Sequence, residues 1–372
     1  TAVVTLDHAL LWTDFRYYIQ AESQIRGSVF KLFKTGAAGV PSLRRWLVEN
    51  LAPGSVIGVD GALFSMGDIK RYASLFDEYD LKLDTGFDVI APLWTDRPPV
   101  PASRAYEFSQ KYSGEDRLSK LSRIREAMKK QRAAYHLMVS LDDIAWTLDL
   151  RGNDIHANPV NICFLLVGPD HCDLFIDPGK VDPDLRHALE TDRVRILGYD
   201  RVMDALGQIP DKETVLLDPQ ATSTRLARAV NPGCRIMEKQ SPAVALKAIK
   251  NKVQISHIQK TMVKDGAAVV NFLFWLSNQP AGPDLTEMSA AEKMFELRKA
   301  QPDFVDNSFD PIMAYGANSA MCHYSATPET DTPIEDSGMF LTDSGGNYLT
   351  GTTDITRTIC RSFPSRQAVE DY

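Results

Sequence analysis

Hydrophobic and polar positions along the chain predict strands and helices that alternate from its beginning. Ala2–Thr5 and Ala9–Trp12 are short apolar runs around a Leu6-Asp7-His8 turn, a pattern typical of two strands. A helix is expected over Pro41–Val48, where proline stands near its start. Ser55–Asp60 is apolar enough to predict a buried strand. This alternation favours an α/β arrangement at the start of the chain.

The same scheme returns in a second segment. A helix is predicted over about Asp116–Ala134, and a later strand near Thr214–Leu217. Residues 2–14 (AVVTLDHALLWTD) also resemble residues 165–177 (LLVGPDHCDLFID), which indicates duplication of one α/β unit. His8 and His171 occupy matching places in this repeat, and we interpret them as turn residues at hairpin tips rather than catalytic groups.

The last third of the chain changes character. Apolar spacing from Ile255 predicts an amphipathic helix to about Ser277, and a second helix is expected to about Lys299, with Ser289 as its N-cap and Glu292 completing a capping box. Strands are predicted after Pro302, in the ranges Phe309–Tyr315, Gly338–Thr342 and Tyr348–Ile359. Two helices followed by antiparallel strands predict an α+β domain.

A proline-dense stretch, Trp94–Pro101, interrupts the pattern, because neither a helix nor a strand ladder runs through so many prolines. We place a domain boundary there and predict three domains. Residues 1–100 and 101–250 form two α/β domains, and residues 251–372 form the α+β domain.

Composition excludes several classes of function. The net charge of -8 argues against nucleic acid or an anionic membrane as partner, since both attract basic surfaces. No apolar run reaches the ~20 residues of a membrane span. The 5 cysteines are odd in number and none has CxxC spacing, which argues against a disulfide framework or a structural zinc site. A reducing, cytoplasmic compartment is predicted.

The candidate chemistry lies near the end of the chain. The segment 338–358 is interpreted as a hairpin that turns at Ser344-Gly345-Gly346-Asn347, with Asp343 at the end of one strand and Asp354 inside the next. Paired strands lie ~5 Å apart, so these carboxylates can face each other.

Two facing carboxylates repel each other unless a cation lies between them, and hard divalent ions prefer oxygen ligands. The spacing alone leaves alternatives open. Asp343 can be an ordinary turn residue, and Asp354, Thr356 and Thr358 can be a polar row that faces water. Ile355 and Ile359 are expected on the opposite face of the strand.

A family resemblance strengthens the metal interpretation. The run from Thr342 to Thr358 resembles the metal-binding hairpin of the Xaa-Pro aminopeptidases, in their long three-domain form. These enzymes are related to prolidase, creatinase and methionine aminopeptidase. Further motifs of the family stand elsewhere along the chain, at Trp12–Tyr17, Gly58–Asp60, Trp94–Pro98, Leu141–Gly152, Gln301–Asp306 and Phe309–Tyr324. The resemblance implies two creatinase-N-like α/β domains followed by the first half of a pita-bread catalytic domain.

Carried over by position, the resemblance implies roles for four residues. Asp343 would hold one metal ion, and Asp354 would bridge two. His323 would be catalytic, because it would lie beside the substrate and stabilise the oxyanion, although an ordinary loop histidine is the alternative. Arg16 would contact the peptide, with Phe15 beside it where relatives often carry glycine.

The resemblance also implies the reaction and its cofactors. Two divalent ions, Mn2+ by default with Zn2+ or Co2+ as alternatives, would activate water to cut the bond between a first residue and a following proline. The substrates would be peptides with proline at position two, and the full-length enzyme would be a homodimer. The alternatives are a prolidase, which cuts X-Pro dipeptides, and a non-catalytic binding module of the same fold. Creatinase and such modules lack the metal aspartates.

The resemblance places one further histidine and two glutamate ligands beyond Tyr372, and the first residues already read as a strand, so we expect a piece of a longer enzyme. The 372-residue chain alone should therefore bind metal weakly and leave Gly-Pro-Pro intact. Chromatography of the peptide after incubation with purified, metal-replete chain measures this. Released glycine would contradict the prediction.

Overall fold

The computed structural model describes residues 1–88 and 90–371. Its strands, numbered in chain order, are β1 (Ala2–Val4), β2 (Ala9–Thr13), β3 (Phe30–Lys34), β4 (Val56–Gly58), β5 (Lys82–Asp84), β6 (Tyr106–Glu107), β7 (Tyr135–Met138), β8 (Leu150–Arg151), β9 (Phe164–Val167), β10 (Cys172–Phe175), β11 (Val194–Leu197), β12 (Thr214–Leu217), β13 (Arg235–Glu238), β14 (Phe304–Asn307), β15 (Ile312–Tyr315), β16 (Met339–Ser344), β17 (Gly346–Tyr348), β18 (Gly351–Thr352) and β19 (Ile355–Cys360).

The α-helices are α1 (Tyr18–Gln24), α2 (Leu43–Asn50), α3 (Met66–Asp77), α4 (Gln110–Ser113), α5 (Arg117–Lys130), α6 (Leu141–Leu148), α7 (Pro183–Thr191), α8 (Val202–Gly207), α9 (Thr224–Ala229), α10 (Pro242–Ala248), α11 (Lys252–Ser277), α12 (Glu287–Lys299) and α13 (Arg366–Asp371). Short 3-10 segments lie at Phe15–Tyr17, Pro178–Lys180, Tyr199–Arg201 and Gly316–Ala320. No helix in the described part of the chain is both long and apolar enough to cross a membrane. The chain packs into two compact units, one of residues 50–255 and one of residues 1–49 with 256–372.

The unit of residues 50–255 is built on a six-stranded mixed sheet in the order β11-β10-β9-β7-β12-β13. Strand β12 shows how both faces are covered. Leu216 packs into the core on one side of the sheet, whereas Val215 and Leu217 pack into the core on the other. Side chains alternate between faces along a strand, so an unbroken apolar run is buried on both sides. The predicted strand over Thr214–Leu217 is confirmed.

The repeat seen in the sequence returns as a repeated hairpin. Strands β1 and β2 are antiparallel, and the amide of Thr5 donates to the carbonyl of His8 across the turn at 2.8 Å. Strands β9 and β10 are also antiparallel, with Gly168 donating to His171 at 3.0 Å. A parallel strand follows each pair, β3 beside β2 and β11 beside β10. Both histidines therefore lie at hairpin tips, as predicted.

The unit of residues 1–49 and 256–372 contains two helices packed on antiparallel strands. Helices α11 and α12 cover one face of the sheet β15-β16-β19, through a core that includes Phe272, Leu276, Met294, Met313 and Phe340. The second face of this sheet carries the polar residues described below. The predicted order of two helices and then antiparallel strands is confirmed.

Two local predictions were wrong. The capping box of α12 is formed by Thr286 and Ser289, not Ser289 and Glu292, because the Thr286 side chain accepts from the Ser289 amide while the Ser289 hydroxyl accepts from the Thr286 amide. The strand expected over Ser55–Asp60 is short and open, with Val56 63% exposed. Its exposure alternates along the strand, since Ile57 is partly covered while Val56 and Gly58 are exposed.

His136 on β7 predicts a pH dependence of stability. Its side chain is fully buried, with Nδ1 3.0 Å from the Leu216 carbonyl and Nε2 3.0 Å from the Ser241 hydroxyl, and burial lowers its pKa from 6.5 to about 4. Protonation then favours the unfolded chain, so the free energy of unfolding should fall as the pH drops from 6.5 towards 4. At pH 5 this effect amounts to about 2 kcal/mol.

Urea unfolding at pH 7 and pH 5 measures the loss, with His136→Gln as the comparison that lacks the titrating ring. In the parent, the imidazole resonance of His136 should stay at its neutral position between these pH values. A titration of this ring centred near pH 6.5 would overturn the assignment.

Candidate metal centre

The two acidic residues singled out from the sequence lie on one continuous antiparallel hairpin. In the paired strands β16 and β19, Asp343 stands opposite Thr356 and Ser344 opposite Ile355. The same register continues through β17 and β18, where Asn347 pairs with Thr352 and Tyr348 with Gly351. The turn is therefore Leu349-Thr350. The predicted turn at Ser344-Gly345-Gly346-Asn347 was wrong, because those residues pair across the hairpin instead of reversing the chain.

Side chains of the hairpin alternate between its two faces, and one face packs against the helices. Phe340, Ile355 and Ile359 pack into the core beneath the helices α11 and α12. Asp343 and Thr356 pair with each other at the alternate positions of these strands, so their side chains lie on the opposite face of the sheet. The apolar positions of the hairpin thus direct its carboxylates away from the helices.

Asp354 precedes β19 instead of lying inside a strand, which corrects the expectation of one strand over Tyr348–Ile359. It shares the face of Thr356 and stands opposite Gly345 in the hairpin register. Gly345 leaves no room for a side chain, since a Cβ there would meet the Thr353 carbonyl oxygen at 1.9 Å. The missing side chain lets the two strands approach closely beside Asp343 and Asp354.

The two carboxylates interact electrostatically. The pKa of Asp354 is raised, first by desolvation, then by the charge of Asp343 and by a hydrogen bond between the two side chains. Oxygen Oδ1 of Asp343 is buried and has no hydrogen-bond partner among the described residues. A buried acceptor without a donor beside a second carboxylate suits a divalent cation, because the ion supplies the missing positive charge. The residues present therefore fit hard-metal binding.

The donor set on these strands is small. Within residues 1–88 and 90–371, no group of three His, Cys, Asp or Glu side chains comes together as a metal site. Asp343 and Asp354 contribute two carboxylate groups to one face of the hairpin.

A buried ion pair supports the hairpin from the helix side. Arg298 on α12 donates to Asp265 on α11 at 2.8 Å, and both side chains are fully buried. Arg298 also donates to the Ser344 carbonyl at 3.3 Å, and the Tyr348 hydroxyl donates to Asp265 at 2.9 Å. These contacts tie both helices to the backbone residue that follows Asp343. Sequence reasoning missed them, because a lone Arg and a lone Asp on two amphipathic helices carry no local signal.

His323 lies in an exposed loop that is anchored by a buried carboxylate. Glu287, fully buried at the start of α12, accepts hydrogen bonds from the Tyr324 hydroxyl at 2.7 Å and the Tyr315 amide at 2.6 Å. It also accepts from the side-chain amide of Asn318 at 3.1 Å. Burial and the Glu287 carboxylate raise the pKa of Tyr324 to about 12, so its hydroxyl remains a donor at neutral pH. The residue next to His323 is therefore firmly held.

Arg16 and His323 lie in the same compact unit, linked through their neighbours. Arg16 donates from Nε and Nη2 to both carboxylate oxygens of Asp14, at 2.8 and 2.9 Å. The side-chain hydrogen bond from Arg16, with its backbone N–H and its positive charge, lowers the pKa of Asp14 to about 2. The Tyr17 hydroxyl lies 2.6 Å from Nδ1 of His323. Sequence reasoning placed Tyr17 in a motif but gave it no function.

Models of known families match nearly the whole chain. The creatinase/prolidase N-terminal domain matches residues 1–85 and, in a second form, residues 96–254. Metallopeptidase family M24 matches residues 256–372, the segment that carries Asp343 and Asp354.

Individual proteins are similar along the full chain. Aminopeptidase P2 of Arabidopsis thaliana is 32% identical over 100% of this chain and 57% of its own length. Xaa-Pro aminopeptidase ApepP of Drosophila melanogaster is 34% identical over 100% of this chain and 61% of its own length. The chain therefore spans about three fifths of these relatives.

Among solved structures, an X-prolyl aminopeptidase from Caenorhabditis elegans matches 98% of this chain and 61% of its own chain, with TM-score 0.91 and 30% identity. It is described as a cytosolic enzyme with a di-nuclear active site. The prolidase of Pyrococcus horikoshii OT3 matches 68% of this chain and 67% of its own chain, with TM-score 0.51 and 22% identity. That likeness extends to the fold alone.

The carboxylate pair predicts how Mn2+ binding responds to mutation. Asp343→Asn and Asp354→Asn should each weaken binding by roughly tenfold or more, because each removes a charged oxygen ligand. Asp284→Asn, which neutralises an exposed carboxylate of the same unit, is the matched control and should bind like the parent. Electron paramagnetic resonance of free Mn2+ measures the affinity. Equal affinity in all four proteins would exclude this pair as the metal site.

Proposed function

We propose that the whole protein is a metal-dependent Xaa-Pro aminopeptidase. The premise is that this chain belongs to metallopeptidase family M24 and carries creatinase/prolidase N-terminal domains. The enzyme removes the first residue of peptides whose second residue is proline. The observation that carries the proposal is the convergence of Asp343 and Asp354 on one face of a hairpin inside the M24 segment. The relatives that match the full chain carry the names of this activity.

Asp343 and Asp354 are proposed to hold two divalent metal ions, most simply Mn2+, with Zn2+ or Co2+ as alternatives. When bound, such ions lower the pKa of water and polarise a carbonyl group. The carboxylates contribute charge that matches the ions, and the buried Oδ1 of Asp343 gains the partner that it lacks within the described chain. The description of the C. elegans enzyme as di-nuclear supports a pair of ions.

His323 and Arg16 are proposed to act on the peptide. An imidazole N–H of His323 would donate to the carbonyl oxygen of the first residue, where negative charge develops as the bond is attacked. Arg16 would contact the peptide through the guanidinium edge that Asp14 does not occupy. Asp14 holds Nε and Nη2 of Arg16, which leaves Nη1 available to donate.

Proline accounts for the selectivity of such an enzyme. An X-Pro bond has no N–H, and its ring fixes φ, so peptidases that recognise an extended backbone lose a contact there. A site shaped for the ring gains selectivity from the same features. Peptides with a cis X-Pro bond, ~10–30% of flexible chains, would wait for slow isomerisation.

Prolidase is the second candidate, because it cuts X-Pro dipeptides with the same kind of site. Matches along the full chain to Xaa-Pro aminopeptidases, against a fold-level likeness to prolidases, favour the aminopeptidase. The three domains over 1–100, 101–250 and 251–372, the cytoplasmic location and the homodimer belong to the same proposal. The cytosolic description of the C. elegans enzyme supports the location.

The decisive experiment compares a tripeptide with a dipeptide. Protein expressed from the complete reading frame and loaded with Mn2+ should release glycine from Gly-Pro-Pro and leave Gly-Pro largely intact, which chromatography of the products measures. An acetylated Gly-Pro-Pro tests the need for a free amino terminus. Hydrolysis of the dipeptide alone would establish prolidase.

The matched variants are Asp343→Asn and Asp284→Asn. The first should lose at least a hundredfold in kcat, since a metal ligand is removed, and the second should behave as the parent. No release of glycine from any X-Pro peptide by the folded, metal-loaded parent would overturn the proposed function.

A further inference from the structure

A contact between distant parts of the sequence joins Tyr17, near the start of the chain, to His323. The Tyr17 hydroxyl lies 2.6 Å from Nδ1 of His323, and the two rings meet edge to face with centroids 5.1 Å apart. The residues are separated by 306 positions along the chain yet belong to one compact unit. Such a hydrogen bond to one ring nitrogen of a histidine determines what the other nitrogen can do.

The segment that carries Tyr17 is locally ordered. Asp14 caps the 3-10 turn Phe15–Tyr17 by accepting from the Arg16 amide at 3.1 Å, and it binds the Arg16 guanidinium through both oxygens. The carboxylate of Asp14 is therefore engaged and does not compete for His323. The Arg16 guanidinium lies 5.9 Å from the centre of the Tyr17 ring.

The other side of His323 is held by its neighbour. Tyr324 is buried and donates to Glu287 at 2.7 Å, which fixes the backbone of the loop. The ring of His323 itself is exposed, and its Nε2 has no hydrogen-bond partner among the described residues. The loop backbone is thus held through Tyr324, and the His323 ring is held at Nδ1 by Tyr17. The opposite edge of the ring, at Nε2, is open to a ligand.

We propose that Tyr17 is a positioning residue that holds neutral His323 with its proton on Nε2. The Tyr17 O–H donates to Nδ1, so Nδ1 is the acceptor and Nε2 carries the hydrogen. The open edge of the ring is then an N–H donor in a constant orientation. This inference rests on the proposed function, in which the carbonyl oxygen of a peptide needs an N–H donor such as Nε2–H.

The consequence for the reaction is a division of roles. His323 touches the substrate, and Tyr17 acts through His323 by restricting its tautomer and ring rotation. A donor oriented before the substrate arrives stabilises developing negative charge without a reorganisation cost. Loss of the Tyr17 hydroxyl should therefore lower kcat roughly tenfold and change KM little, the size expected for one hydrogen bond.

The structural arm of the test uses the chain without metal or substrate. Long-range 15N spectra distinguish the protonated from the unprotonated nitrogen of a neutral imidazole, and His323→Gln identifies which signals belong to His323. The parent should show one tautomer, with the proton on Nε2. Tyr17→Phe should show a mixture of both tautomers and a more mobile ring.

The matched control is Tyr18→Phe. Tyr18 is the next residue, and its hydroxyl donates to the Thr35 carbonyl instead of His323. This variant removes an equivalent hydroxyl from the same segment, and its His323 signals should equal those of the parent. A proton on Nδ1 of His323 in the parent, or unchanged His323 signals in Tyr17→Phe, would overturn the inference.

The activity arm uses the metal-loaded protein from the complete reading frame. Tyr17→Phe should lower kcat for Gly-Pro-Pro roughly tenfold, and in a His323→Gln background the same change should have no further effect. An undiminished loss in that background would show that Tyr17 acts independently and would sink the positioning role. If the parent releases no glycine at all, the proposed function fails, while the 15N spectra still decide the inference.

Discussion

The antiparallel register of the hairpin from Met339 to Cys360 is the constraint on which the candidate site depends. Because pairing continues without a shift from Asp343 opposite Thr356 to Tyr348 opposite Gly351, side chains alternate strictly between two faces. A slip of one residue would turn Asp343 towards the helices and Phe340 away from them. The apolar core under α11 and α12 opposes such a slip, since it would bury a charge and expose an aromatic ring. The packing of the apolar core therefore also determines on which face the carboxylates lie.

Buried polar contacts hold each functional segment in position. The Arg298–Asp265 pair is fully buried and reaches the Ser344 carbonyl, so the strand that carries Asp343 is held from the helix side. Glu287 does the same for the loop of His323 by accepting from Tyr324 and Asn318. Removing one partner from such a group leaves a buried charge without compensation, which makes these networks rigid supports. The residues proposed to meet metal and substrate thus lie on elements whose backbones are fixed elsewhere.

Sequence patterns predicted many elements well, where local signals and tertiary contacts agree. The strand over Thr214–Leu217, the hairpin tips at His8 and His171 and the two helices before the last strands all followed from apolar periodicity and turn residues. The errors arose where several local solutions were equivalent. Thr286 and Ser289 both suit an N-cap, and a Ser-Gly-Gly-Asn run suits a turn. In the hairpin, pairing across the whole register outweighed that local turn preference.

The sequence by itself determined the resemblance to a family, the order of strands and helices, and the residue types that suit a divalent cation. These properties are local or ordered along the chain, so motifs and periodicity contain them. The tertiary structure alone decided which distant residues meet: Arg298 with Asp265, Glu287 with Tyr324, and Tyr17 with His323 across 306 positions. No periodicity encodes such pairs. They follow from how the apolar faces pack, and packing is settled by the whole chain at once.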